Sequence, residues 1–357
     1  SLWAGTPEDP YPENVAMHYK KFQQLNLQGN YDDAFDYAMK NLAVSPTAYR
    51  SYEPLGRLFL TFGHDGPPEA YTRRLDLENG IFTVEYTVGD KRFRRESFIS
   101  ADYDVLVYRF ESLDGEQLSS RIDFQREKDV TVDIVGDQII EITGQIFDDP
   151  NGYDDNRGGS GEGGYHMKFS GHIGILQNNG ETLTSGSKLN IENSTSFTLI
   201  SSAATDYSIE RMNFDRSIDP KKNSMATLQA ALQIPYDQIK AKHIAEHSGI
   251  FNRVALEIQG VSPDSLSTGK RLERLAEGAE DVGLEQLFFQ YGRYLMMSSG
   301  MRRSVLPASL QGIWSHKMWA PWESDFHLNI NLKIKAFHIN VAMTGIWQLL
   351  PVYLGGY

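Results

Sequence analysis

The chain has 357 residues, 40% of them hydrophobic and 23% charged, and its 34 Lys and Arg against 47 Asp and Glu give a formal net charge of −13. That size supports a substantial core and more than one domain, while the acidic balance argues against nucleic acid as a partner, whose phosphates demand clustered Lys and Arg. With no cysteine, disulfides, thiolate zinc sites and cysteine nucleophiles are excluded.

The first residues, SLWAGTPEDPYPEN, show no starting Met, basic segment or apolar segment of the secretory kind, and read as the interior of a domain. No stretch approaches the roughly 20 apolar residues of a membrane span. Residues 12–42 carry apolar side chains at helical spacing, broken by Gly29-Asn30, which predicts two short helices around a turn. From Ser51 alternation takes over. Phe82, Val84 and Tyr86 fall on one face, and the turn signal VGDKR (Val88 to Arg92) precedes another alternating run. This texture continues to about residue 210, with Gly, Asn and Asp turns and few helices, and predicts a large antiparallel sandwich. Within it, DDPNGYDDNRGGSGEGG at 148–164 reads as a surface loop, since its acids lack the order of a calcium loop.

Helical spacing returns after residue 217 in DPKKNSMATLQAALQIPYDQIKAKHIAEHSGIFNRVAL, and VSPDSLSTGK at 261–270 has linker composition. Residues 281–300 predict an amphipathic helix with a stripe through Leu284, Leu287, Phe288, Tyr291 and Leu295, ended by Gly300. Inside the earlier helical run, HIAEH places His243 and His247 one turn apart with Glu246 between, an inverted zinc-protease pattern. No third ligand can be located, and ordinary packing histidines are the competing reading. Arg302 and Arg303 read as a solvated helix end.

The segment 306–331, LPASLQGIWSHKMWAPWESDFHLNIN, is different in kind. Trp314, Trp319 and Trp322 fall within nine residues, accompanied by His316, Glu323, Asp325, Phe326, His327, Asn329 and Asn331. Pro307, Gly312 and Pro321 interrupt any regular helix. Aromatic faces stack on the C–H faces of sugars, and amides, imidazoles and carboxylates bond their hydroxyls, so the segment suits carbohydrate recognition. A Trp-rich core plug is the bland alternative.

At this segment the chain resembles glycoside hydrolase family 95, the inverting alpha-L-fucosidases and their alpha-L-galactosidase relatives. SLQGIWSHKMWAPWESDFHLNIN is similar to the family's NLQGIWN…PPW-S-(Y/F)-H-x-N-I-N pattern, and SLWAGTPEDP, SYEPLGRLFLTF, YTRRLDLENGIFTVEYTVGDKRFRRESFIS and SSAATDY resemble family segments in the same order. The resemblance implies a β + α multidomain chain. An antiparallel β super-sandwich would occupy 1–215, a helical linker 216–270, and the first helices of an (α/α)6 catalytic barrel 271–357. It further implies that Asn329 and Asn331 are catalytic, holding and polarising the attacking water, since an amide oxygen accepts from water although it is a poor base. His327, Trp322, Asp325 and Trp314 would bind the sugar.

No metal or organic cofactor is implied, and the partner is a fucosylated oligosaccharide or glycan. The compartment is open from the residues, and the resemblance points to a periplasmic or extracellular setting. Where the family continues N-I-N with Q-M-N-Y-W-P, this chain has LKIKAFHINVAMTG, so Lys333, Lys335, Ala336, Phe337 and His338 change the polarity of the expected pocket. An alpha-L-galactosidase or a non-catalytic carbohydrate-binding derivative is therefore also compatible. The family's general-acid glutamate would lie beyond Tyr357, so the chain reads as an internal fragment lacking both ends and inactive alone.

Overall fold

The computed structural model describes residues 2–5, 12–43, 51–136, 138–147, 166–300, 306, 308–310, 314–327 and 331. The acidic Gly-rich stretch 148–164, the Arg302-Arg303 pair, Asn329 and Lys333 to His338 lie outside the described residues.

Strand β1 (Leu2–Trp3) leads to a helical hairpin, α1 (Val15–Leu27) and α2 (Tyr31–Asn41), that turns at Gly29-Asn30, where Gly29 adopts φ +80°. β2 (Tyr52–Glu53) then pairs antiparallel with β1, Leu2 opposite Glu53. The alternating region forms β3 (Arg57–Phe62), β4 (Glu69–Asp76), β5 (Ile81–Val88), β6 (Lys91–Ser100), β7 (Val105–Ser112), β8 (Leu118–Gln125), β9 (Thr131–Val135) and β10 (Ile139–Gln145). It resumes with β11 (Lys168–Asn178), β12 (Glu181–Ser185), β13 (Lys188–Ser194), β14 (Ser196–Thr205) and the short pair β15 (Tyr207–Ser208) and β16 (Asn213–Phe214). An eight-stranded sheet runs β4-β5-β6-β7-β14-β11-β10-β9, and a four-stranded sheet runs β12-β13-β8-β3. Every pairing is antiparallel, as expected of strands joined by short turns such as Gly89-Asp90 between β5 and β6.

The two faces of the large sheet are both used, and the two-residue period of the strands decides which residue serves which face. Between the sheets lie Val84, Tyr86, Phe93, Phe110, Phe197, Leu199 and Ile173, meeting Ile122, Leu189 and Ile191 of the small sheet. On the opposite face Phe98, Val105, Val107 and Ile200 meet Leu228, Ala231, Tyr236 and Ile239 of two helices, α3 (Pro220–Ala231) and α4 (Tyr236–Phe251). The helical run thus breaks at Pro235, the residue that precedes α4. Asp219 caps α3 by accepting from the Lys222 amide at 3.1 Å, with Pro220 in the first turn, where its missing N–H is no loss.

α5 (Thr268–Ala276) and α6 (Val282–Gly300) complete the described helices. The buried Arg271 guanidinium grips Asp281 with two bonds of 2.8 and 2.6 Å, and Asp281 also accepts from the Leu284 amide at the start of α6. Arg293, wholly inside, donates to the Phe251 and Val254 carbonyls at 2.9 and 2.8 Å and so joins α6 to the C-terminal end of α4. The packed side of α6 is Leu284, Arg293 and Met297 with Phe289 and Tyr294. The stripe expected from the sequence holds at Leu284 but not at its middle: Phe288 is 80% exposed and Tyr291 is exposed too. The charged head of Arg293 is drawn inward by carbonyls that a periodicity argument does not count.

The fold is therefore a two-sheet antiparallel sandwich followed by a helical region. No described helix is long and apolar enough to cross a membrane.

A candidate sugar site where the helical region meets the sandwich

Residues 314–327 form a strap that lies on β2. The Ala320 amide donates to the buried Ser51 hydroxyl at 3.0 Å, and Phe326 stands edge-on to Tyr52 at 5.6 Å between ring centroids. Beneath it, Arg126 donates to Glu53 Oε2 at 2.5 Å and to the Pro54 carbonyl, lies over the Phe169 ring at 5.1 Å, and reaches Met318 Sδ of the strap at 3.8 Å. Both charged side chains of this pair are at most 1% exposed, and Lys128 stands 3.7 Å from the other Glu53 oxygen.

Burial pushes the Glu53 carboxyl above its ordinary value, against the lowering pull of Lys128 and Arg126. Burial, with the nearby Tyr207 and Asp325, also raises the Tyr52 phenol, which stays protonated across the physiological range.

Four of the sequence segments that carry the family resemblance converge here. LW of the first segment pairs with YE of the second through β1 and β2, and the Ala4 amide donates to the Ser51 carbonyl at 3.0 Å. Trp3 lies 6.0 Å from Phe214, which in turn meets Tyr207, the last residue of SSAATDY, edge-on at 6.2 Å. The strap is the fourth segment.

Two residues ahead of the strap tie down its far end: the Leu310 amide donates to the Asp325 carbonyl at 2.6 Å, and the Ser309 and Ser324 hydroxyls are 3.3 Å apart. Asp325 Oδ1 accepts from the His327 amide at 3.1 Å and pairs with His327 Nδ1. The Trp322 ring stands edge-on to the His327 ring at 6.3 Å and is 70% exposed. Trp314, His316, Lys317 and Pro321 line an open cavity of about 330 Å³. Asp325, His327 and Asn331 are half-buried.

Of the six residues expected from the sequence, the structure brings Trp322, Asp325 and His327 together, sets Trp314 in the adjoining cavity, and places Asn331 four residues past His327. Asn329 lies outside the described residues. Ser51, Tyr52, Glu53 and Arg126 join the site although their residue types do not mark them in the sequence. For the first three the signal was available in the SYEPLG segment, but Arg126, in FQREKD, reads locally as a solvated turn residue.

The HIAEH residues serve another purpose. His243 Nε2 donates to the Gly80 carbonyl at 3.2 Å and His247 Nε2 to the Leu77 carbonyl at 2.9 Å, so both imidazoles dock α4 onto the β4–β5 turn. Phe98 stacks on His243 at 4.7 Å. A carbonyl only accepts, so each Nε2 carries a proton and cannot present a lone pair to zinc in this arrangement. Among the described residues, no group of three His, Asp or Glu is disposed to hold a metal ion.

Family comparison agrees with the two-part layout. Residues 1–210 match the family model described as Glycosyl hydrolase family 65, N-terminal domain, and residues 235–344 match the Glycosyl hydrolase family 95 catalytic domain. A sandwich of the first kind running into a segment of the second marks a chain of the glycosyl hydrolase families. The family 65 N-terminal domain spans more than half of the chain, which therefore carries a domain of that family, and over 235–344 the chain is similar to the family 95 catalytic domain. The chain is 29% identical over 363 residues to Alpha-L-fucosidase 2 of Arabidopsis thaliana, a match covering 95% of this chain and 42% of that protein. It is 27% identical over 317 residues to "Probable alpha-fucosidase A" of Aspergillus niger, covering 84% of this chain and 37% of that one. The chain spans less than half the length of these curated relatives.

Proposed function

We propose that the protein containing this chain is an exo-acting glycoside hydrolase that releases terminal alpha-L-fucose, or the related L-galactose, from oligosaccharides or glycans with inversion. The observation that carries the reading is the convergence of three family-like segments beside a fourth, the strap holding Trp322, Asp325 and His327. The fucosidase names of the relatives support it. In this reading 1–215 is the sandwich domain, 216–270 a helical linker, and 271–357 contributes helices to an (α/α)6 barrel.

Inversion requires a water on the face of the sugar opposite the leaving oxygen and a protonated carboxyl beside that oxygen. The water oxygen bonds to the anomeric carbon as the glycosidic bond breaks. The leaving oxygen takes the carboxyl proton, and the water gives its proton to a base. Asn329 and Asn331 would accept from this water and hold it in line. Trp314, Trp322 and His327 would seat the sugar by stacking and hydroxyl contacts.

The test is proton NMR of 2'-fucosyllactose incubated with the full natural protein, followed from the first minutes. The reading requires beta-fucose to appear before its alpha anomer, and Asn331→Ala to lower kcat by about 10²–10⁴-fold. Alpha-fucose first would overturn inversion. Sugar binding without release would favour a carbohydrate-binding derivative instead.

A further inference from the structure

The strap holds an arrangement that sugar contact does not by itself require. Trp322, Glu323, Ser324 and His327 all adopt left-handed φ, at 56°, 55°, 54° and 34°. A left-handed φ is unfavourable for every residue but glycine, because Cβ crowds the following carbonyl oxygen. Conformations of that kind persist only when their surroundings over-determine them, and they concentrate at functional sites. Here the surroundings are the Ser51 hydroxyl on Ala320, the Leu310 amide on the Asp325 carbonyl, and Tyr52 against Phe326.

The strained turn sets Asp325 against His327 twice. An aspartate accepting from the amide two residues on is a common loop device, and the 3.1 Å bond to the His327 amide is of that type. The second contact, from the same Oδ1 to Nδ1 of the ring, goes beyond it. An ionised carboxylate can only accept, so Nδ1 carries the proton and Nε2 of the neutral ring is left with a lone pair. The ring's flank is set by Trp322, edge-on at 82°.

We infer that Asp325 is a positioning residue: it fixes the tautomer and direction of His327 so that the bare Nε2 accepts a hydrogen bond from a hydroxyl of a neutral sugar. Asp325 thus acts through His327 and does not itself bind the sugar. The identity of that sugar rests on the fucosidase reading, and the tautomer does not. A ring held this way discriminates by hydrogen-bond polarity, because a sugar hydroxyl can donate to Nε2 whereas a carbonyl or ether oxygen at the same place cannot.

The experiment is ¹⁵N NMR of the histidine rings in uniformly labelled protein, with His327 assigned by its loss in His327→Gln. The wild type should show His327 protonated at Nδ1, and Asp325→Asn should lose that population, since an amide in place of a carboxylate leaves an imidazole in the wrong tautomer. L-fucose should move the Nε2 resonance in the wild type. In the full natural protein, Asp325→Asn should lower kcat/KM for a fucoside by up to about 100-fold, and the same change should be silent in a His327→Gln background. A thermal melt of Asp325→Asn within 2 °C of wild type would separate positioning from unfolding; if that variant unfolds, Asp325→Glu takes its place.

A wild-type ring protonated at Nε2 would overturn the inference whatever the substrate, and so would an additive loss in the double variant. The expected tautomer together with no response to L-fucose or L-galactose would uphold the Asp325–His327 arrangement and sink the fucosidase reading.

Discussion

Arg126→Met tests whether the sandwich holds the strap. The Arg126 side chain is fully buried, gives Glu53 a 2.5 Å bond, satisfies the Pro54 carbonyl, and touches Met318 of the strap. Methionine preserves much of the volume over Phe169 but leaves Glu53 buried with only the 3.7 Å contact to Lys128. Removing one member of a buried ion pair costs about 3–5 kcal/mol, because the remaining charge is uncompensated. That is a large part of the roughly 5–15 kcal/mol that holds a typical domain.

Glu53→Gln in the same background removes the stranded charge, so the double variant should recover a substantial share of the loss. Arg126→Lys keeps the charge without the planar fork and should fall between. With Glu53→Gln alone as the second single variant, urea unfolding followed by tryptophan fluorescence gives the free energies, and the cycle of wild type, both single variants and the double gives the coupling. If Arg126→Met costs less than about 1 kcal/mol, or if the double variant is no better than the single one, the pair does not hold this junction.

Three further outcomes are expected. Stability should fall as pH drops from 6.5 through 4.5 and below. Burial pushes His172 below its ordinary value despite the Glu141 carboxylate, and Glu141, although burial opposes its charge, is held below its own by Lys221 and His172. Both depressed groups are protonated in the unfolded chain before the folded one, so each stabilises above its unfolded value and loses that contribution in acid, at up to about 1.4 kcal/mol per pH unit. Melts at pH 7.5, 6 and 5 read this, and His172→Gln should flatten the decline between 6.5 and 5; an unchanged slope would refute it. Gly80→Ala should destabilise by about 1–2 kcal/mol, since Gly80 sits at φ +66° and a Cβ there would lie 2.8 Å from His247 Nδ1, whereas a chelator should leave the melt unmoved. Finally, Trp314→Ala should weaken L-fucoside binding by isothermal titration without lowering the melting temperature, because that ring is 47% exposed at the rim of its cavity.

Much of the secondary structure is legible from local rules. The break between α1 and α2 at Gly29-Asn30, the β5–β6 turn at Gly89-Asp90, and the Asp219-Pro220 start of α3 each follow from residues within a few positions of the feature. α5 is not legible locally, because RLERLAEGAE follows a run of linker composition and its capping Ser267 lies inside that run. The α6 stripe departs from periodicity at Phe288 and Tyr291 because periodicity weighs apolar residues alone, whereas Arg293 is buried by three hydrogen bonds to groups far off in sequence or on the same face.

The site divides in the same way. The residue types in 314–327 and their suitability for sugars could be read directly, because stacking and hydroxyl bonding depend on side-chain chemistry. Their arrangement could not. Glu53 and Arg126 are 73 positions apart, and Ser51 and Ala320 are 269 apart, so no window or spacing rule connects them. HIAEH shows the converse, since one helical turn brings two imidazoles together, but only the packing of α4 on the β4–β5 turn directs both Nε2 atoms to carbonyls. Local sequence determined which elements form and what chemistry each one carries, since backbone preference and alternation act over a few residues. Tertiary structure decided which of those chemistries meet, because burial, ion pairing and the orientation of a ring nitrogen depend on neighbours that the chain brings back from hundreds of residues away.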